Sequence, residues 1–339
     1  MIKLNHRHIA GLVFILGPSF THGDVSHEDA DQVTVKIAII GGGPAAFAAA
    51  ISAGNGKLDP IVVEGYEPGG QTVKAGEIKN FPGYKSINGA ELVSNMKEHA
   101  EHLGAKIIDA QVTKVDLSKQ PFTLWTDKKE TILAHTVIIA TGSEPIKLNC
   151  PGEDKCWGKG VVVCAKCDGH LFKDKSVVIV GGGYSALREL GNLKLHTNKI
   201  TIVNPDTKFS GPQFLINQTT GPGITILQNH SVNRILEKDG YVTGVEVTNK
   251  STGQTTTLSA QGVLIGLGWK PSSKLFDGQL KLNTQDQIIV TGDANTSVPG
   301  VYAAGDVTSK SRHQLIMATS SGFAAAMDAE TYLREKNLL

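Results

Sequence analysis

Val35-Lys36-Ile37-Ala38-Ile39-Ile40-Gly41-Gly42-Gly43-Pro44-Ala45-Ala46 reads, in order, as a buried strand, a glycine turn and the start of a helix. The residues before the turn are mostly apolar and β-branched, as a strand covered on both faces requires. Alanines carry a helical pattern to about Ala53, and a second apolar strand, Pro60-Ile61-Val62-Val63, ends on Glu64. Gly41 suits the tight turn, Gly43 lets backbone approach a pyrophosphate, and Ala46 stands where a third glycine is commoner. The helix opening at Pro44 and Ala45 aims its partial positive charge at phosphates. Glu64 follows Gly41 by 23 positions, close to where an acid accepts ribose hydroxyl protons. A glycine turn alone is weak; with strand, helix and acid in place it reads as a dinucleotide site.

The unit recurs. Ser176-Val177-Val178-Ile179-Val180 leads into Gly181-Gly182-Gly183-Tyr184-Ser185-Ala186, a helix to about Leu195, and the strand Lys199-Ile200-Thr201-Ile202-Val203. Gly240 to Thr248 and Thr255 to Ile265 read as antiparallel strands, and Ser320 to Tyr332 as a closing helix. A chain of 339 residues exceeds what one core usually supports. The expected fold is therefore α/β, with two Rossmann-like three-layer nucleotide-binding domains, the second inserted into the first. Residues 33–147 and 271–334 form the outer domain and 148–270 the insert.

A net charge of +1, with no basic stripe interleaved with aromatics, argues against nucleic acid as a partner. At the amino terminus Lys3 and Arg7 precede an apolar run from Ile9 to Leu16, and no acid appears before Asp24. This is the outline of a signal peptide, too short to span a bilayer, so 1–32 is expected to be a targeting segment or a disordered extension. Export or organellar targeting is the expectation, with cytoplasmic residence as the alternative.

Cys164-Ala165-Lys166-Cys167-Asp168-Gly169 carries the chemistry. Two cysteines three apart can close a small disulfide ring, and a nearby helix dipole with Lys166 favours a thiolate. Asp168 adjoins a sulfur and can carry protons to and from it. A zinc reading lacks a second ligand pair, so no metal is expected. Cys150 and Cys156 bracket the turn Pro151-Gly152-Glu153 and read equally as a structural disulfide or as two free thiols.

In family order, Gly41 to Ala46, Glu64-Gly65, Pro68-Gly69-Gly70-Gln71, Asn80-Phe81-Pro82-Gly83, Ala140-Thr141-Gly142, the Cys164 to Gly169 box and Gly300 to Val307 resemble the low-molecular-weight thioredoxin reductases, over about Val33 to Arg334. The resemblance implies FAD held by Gly41, Gly43, Pro44, Ala45, Glu64, Gly70, Gln71, Asn80, Thr141, Gly142, Gly305, Asp306 and Gln314. It implies that Cys167 faces the flavin, Cys164 attacks the partner and Asp168 is the acid-base residue. It also implies a homodimer, a rotating inserted domain, and a thioredoxin-like protein or small dithiol as partner.

The departures fall on the nicotinamide side. The family pattern has an aspartate at Tyr184, a glutamate at Arg188, a histidine and two arginines at Asn204, Pro205 and Asp206, and an arginine at each of Ser210 and His313. Lys208 alone is a poor clamp for a 2′-phosphate, while Asp206 suits an unphosphorylated ribose. NADPH, NADH and no nicotinamide at all therefore stay open. Alongside the reductase stand a nicotinamide-independent dithiol oxidase using oxygen, a ferredoxin-fed reductase, and a non-enzymatic flavin-binding descendant, which the intact cysteine pair argues against.

Overall fold

The computed structural model describes residues 32–339, and apart from Gln32 the expected targeting segment lies outside them. The strand Gln32–Ile40 is the spine of the first sheet. Its side chains alternate between two cores: Ile37 and Ile39 pack with the alanine-rich helix, Ala38 and Ile40 with residues of the opposite layer. That alternation is why an unbroken apolar run is a strand here and not a helix. The sheet runs Lys106–Ile108, Ile61–Val63, Gln32–Ile40, Thr131–Ile139, Phe122–Thr126, Val112–Asp116, with Val301–Ala303 also pairing the end of Thr131–Ile139. Pairing is parallel about the spine and antiparallel through the last two strands.

On one face the helix Pro44–Asn55 packs against the closing helix Leu315–Glu335. Small residues make this closeness possible: Ala45, Ala46, Ala49, Ala50 and Ala53 meet Ala325, Ala326 and Ala329, and a side chain on Gly322 would run into the backbone of Ala45. The contact brings the carboxyl-terminal segment against the first glycine turn. The helix begins at Leu315, earlier than the expected Ser320, because Ile316 and Met317 project outward and blur the apolar periodicity.

The second sheet repeats the plan. Val161–Val162, Gly262–Ile265, Ser176–Val180, Lys199–Asn204 and Ile224–Gln228 pair in parallel throughout. Val177 and Ile179 face a helical layer; Val178 and Val180 face the antiparallel meander His230–Lys238, Tyr241–Asn249, Thr255–Ser259. The expected single strand over Thr255 to Ile265 is corrected here. It breaks after Ser259, and Gly262–Ile265 crosses into the parallel sheet beneath the Phe172 ring, where a side chain on Gly262 would collide. Ser143–Pro145 and Trp269–Pro271, the segments running between the two sheets, pair antiparallel with each other.

Candidate functional site

The first glycine turn has the features its sequence implied. Gly41 adopts φ +122°, donates its N–H to Val63 O at 2.9 Å, and a side chain there would strike the Ala140 carbonyl. Gly43 differs: nothing lies within 4 Å of where its side chain would be. Gly70 closes beside it, since Gly69 N–H bonds Gly42 O at 2.7 Å, and Gln71 follows at the start of the one-turn helix Gly70–Val73. Gly142 also faces open space, and the buried Ser143 hydroxyl beyond it lacks a hydrogen-bond partner.

The more distant candidates each have a partner. Asn80 Nδ2 donates to Gln314 Oε1 at 3.3 Å, joining positions 234 residues apart, and Thr141 Oγ1 donates to Ser272 O at 2.7 Å. Gly305 sits against Ala45. The Asp306 carboxylate accepts from Ser311 Oγ at 2.5 Å and lies 3.6 Å from His313 Nδ1. His313 in turn stacks on Trp269, ring centroids 4.6 Å apart and planes 12° from parallel.

Glu64 is almost wholly buried, and its carboxylate meets Lys97 Nζ at 2.9 and 3.0 Å. Sequence reasoning missed Lys97, although its spacing shows it. It falls four residues after Val93 and three before Ala100, both buried, so it shares the inner face of the helix Gly89–His102. A lysine on an apolar face needs an acid opposite it.

At the second sheet Cys164 and Cys167 are joined as a disulfide, with Cα atoms 5.3 Å apart. Cys164 caps the one-turn helix Ala165–Asp168, and the Cys167 N–H points to Cys164 Sγ at 3.1 Å. That donor remains after reduction and favours negative charge on Cys164. Burial pushes the Asp168 carboxyl above its usual range, opposed by the charge of nearby His170. A carboxyl raised in this way beside a thiol pair is suited to give a proton to a departing thiolate and recover it. Cys150 and Cys156 are free thiols, and burial raises both. Among the described residues no cluster suits a metal ion and no helix is long and apolar enough to cross a membrane.

Known proteins resemble the chain over this whole frame. The family pattern for pyridine nucleotide-disulphide oxidoreductases matches residues 35–324. A thioredoxin reductase of Rickettsia typhi is 38% identical over 309 residues, covering 90% of this chain and 100% of its own. The chain belongs to this family, among the low-molecular-weight thioredoxin reductases. Solved thioredoxin reductases of Giardia duodenalis and Streptococcus pyogenes superpose with TM-scores of 0.84 and 0.83, at 34% and 32% identity, each over 89% of this chain and 99% of theirs. The chain is accordingly an oxidoreductase enzyme.

Thioredoxin reductases carry FAD, and this groove fits it. Open space at Gly43 and Gly142 admits a pyrophosphate and flavin where a side chain would block them, and the Ser143 hydroxyl is left to be bonded. The nicotinamide side is more crowded. Asn204, wholly buried, fills the space over Gly182; its Nδ2 donates to Lys208 O at 3.0 Å and Gln228 Oε1 at 2.5 Å, and its Oδ1 accepts the Asp206 N–H at 3.1 Å. Both of its amide hydrogens are therefore engaged, one by the loop and one by the neighbouring strand Ile224–Gln228. Asp206 and Lys208 are exposed beyond it, and Lys250 Nζ reaches Pro205 O at 3.0 Å.

Proposed function

We propose that the chain is an FAD-dependent dithiol-disulfide reductase that moves two electrons from a reduced donor, through the Cys164–Cys167 pair, to the disulfide of a thioredoxin-like protein or to the oxidised form of a small dithiol. The observation that carries this reading is the disulfide at Cys164–Cys167 with the raised Asp168 carboxyl beside it, in a chain that also keeps an open flavin groove.

FAD, when bound, supplies a two-electron carrier between a one-sided hydride donor and a sulfur pair. The residues of this chain do the rest. Gly41, Gly43 and Gly70, with the helix start at Pro44 and Ala45, would cradle the pyrophosphate; Glu64 would take the ribose; Asn80, Thr141, Gly305, Asp306 and Gln314 would orient the remainder. Cys167 would receive the electrons, Asp168 would manage the proton, and Cys164 would exchange with the partner. We further propose 33–147 with 271–334 as the flavin domain and 148–270 as the insert, a homodimer, and an exported or organellar location from the Lys3 to Leu16 pattern.

A second reading, a nicotinamide-independent enzyme that passes electrons from a dithiol to oxygen, draws on one observation: Asn204 has both amide hydrogens engaged, and no arginine stands in 204–210. Anaerobic stopped-flow reduction of the flavoprotein separates the two. Bleaching by NADPH or NADH supports the reductase. Bleaching only by reduced thioredoxin or dithiothreitol, with peroxide formed in air, replaces it with the oxidase. A purified protein that takes up no FAD overturns both.

A further inference from the structure

Glu189 is a carboxylate that the reaction described above does not use, yet it is 2% exposed. It lies in the helix Tyr184–Leu193, and its Oε2 accepts the N–H of Ala165, the residue after Cys164, at 2.8 Å. Its Oε1 accepts two bonds from Arg188, from Nε at 3.1 Å and Nη2 at 2.8 Å. The guanidinium in turn lies over the ring of Tyr184, at 5.8 Å from its centroid. Tyr184, half exposed, is the first residue of the helix that leaves the second glycine turn.

Each link has a physical reason. A buried carboxylate is tolerable only if paired and hydrogen-bonded, and Glu189 has both an arginine and a backbone donor. The helix Ala165–Asp168 is a single turn, too short to hold its own geometry, so its amide is fixed from outside by the longer helix. The same carboxylate bonds the peptide N–H next to Cys164, whose sulfur must itself become negative. Arg188 cancels the carboxylate's charge while leaving the hydrogen bond intact.

We propose that the Arg188–Glu189 pair is a positioning device for Cys164: Glu189 fixes the Cys164–Ala165 peptide for nucleophilic attack, and Arg188 shields the Cys164 thiolate from the buried carboxylate. This rests on the reading of Cys164 as the exchanging thiol. In that exchange the Cys164 thiolate bonds one sulfur of the partner disulfide, the partner S–S bond breaks, and the second partner sulfur leaves as a thiolate; no further oxidant or reductant is needed. The device also ties Tyr184, at the start of the helix after the second glycine turn, to the redox turn.

The test measures the pH profile of iodoacetamide alkylation of Cys164 in the FAD-loaded full chain carrying Cys167→Ser, which leaves one redox thiol and keeps the Cys167 N–H. Lys166, Asp168 and His170 on the redox turn, His196 packed on Gly169, and Glu77, whose carboxylate feels the charge of His170, are common to every variant, so differences report the pair. Arg188→Met is expected to move the midpoint up by about one pH unit and to slow alkylation at pH 7 about tenfold. Adding Glu189→Gln, which removes the charge and keeps an acceptor for Ala165, is expected to restore the midpoint. If Arg188→Met alone does not fold, the double variant is compared with Glu189→Gln: the double is expected at the parent's midpoint, and Glu189→Gln, which leaves the Arg188 charge uncancelled, below it. An unchanged midpoint in folded, FAD-containing Arg188→Met overturns the proposal, as does a double variant that stays shifted. Disulfide turnover of the unmutated protein is measured alongside. Its absence with every donor sinks the exchanging-thiol reading, whereas its presence with an unmoved midpoint sinks only the device.

Discussion

Lys97 Nζ stands 2.9 and 3.0 Å from the two carboxylate oxygens of Glu64, bracing a nearly buried acid at the end of the strand after the first glycine turn. In the proposed site Lys97 orients the carboxylate that would take the ribose diol. Glu64→Gln keeps the shape and removes the charge-assisted bond, worth about 1.5–3 kcal/mol. FAD affinity of the apoprotein is expected to fall at least about tenfold. Fluorescence titration reads this directly, and an unchanged dissociation constant removes Glu64 from the cofactor site.

Gly41 and Gly43 sit two residues apart, and valine substitutions at them should fail in different ways. At Gly43 the side chain enters open space, so Gly43→Val should fold with a near-normal thermal midpoint yet lose FAD. At Gly41 a valine meets the Ala140 carbonyl on a backbone at φ +122°, so Gly41→Val should destabilise the fold itself. Circular dichroism melts with flavin absorbance separate the two. Full flavin retention in Gly43→Val means that the pyrophosphate does not pass there.

Asp168 is raised by burial, so its sign in both stability and rate can be worked out. A carboxyl whose pKa is higher folded than unfolded contributes stability that is complete below the ordinary carboxylate range and lost as pH rises through the raised value. Asp168→Asn removes that loss. Its melting temperature should exceed that of the unmutated protein at pH 7 to 8, with the gap closing in acid. Disulfide turnover should fall by about a hundredfold or more, and the decline of the unmutated rate as the acid ionises should disappear. A variant with full turnover and an unaltered pH profile removes Asp168 from proton transfer.

Much of this architecture is legible in the sequence because both sheets rest on short-range grammar. Val35 to Ile40 and Ser176 to Val180 are β-branched runs ending on glycine turns, and nothing distant is needed to read them. The meander strand His230–Lys238 escaped, because its apolar alternation is broken by Asn233 and Arg234 and by register shifts against its neighbour. The split of Thr255 to Ile265 escaped for a different reason: Gly262 marks a layer crossing set by the Phe172 ring, a contact 90 residues away. In the site, residues on glycine turns and in the cysteine box could be named from spacing. Lys97 shows in helical spacing only as a lysine on an apolar face, while Trp269 and Glu189 act through partners brought near by folding, which no spacing reveals.

The two cysteines present a conflict that exposure alone would decide wrongly. Cys167 is exposed and Cys164 half-buried, which on access would make Cys167 the exchanging thiol. Hydrogen bonding points the other way, since the Cys167 N–H is directed at Cys164 Sγ and favours the thiolate there. Single substitutions resolve it through the chemistry of exchange. If Cys164 attacks, it forms a mixed disulfide with the partner, and Cys167 must then attack Cys164 to release it. Cys167→Ser should therefore accumulate a covalent adduct with oxidised thioredoxin, when supplied as the reduced protein, visible as a mass shift that dithiothreitol reverses. Cys164→Ser should form little or none, and both should lose disulfide turnover by about a thousandfold or more, as loss of a nucleophile does. Adduct on Cys164→Ser and not on Cys167→Ser would exchange the two roles.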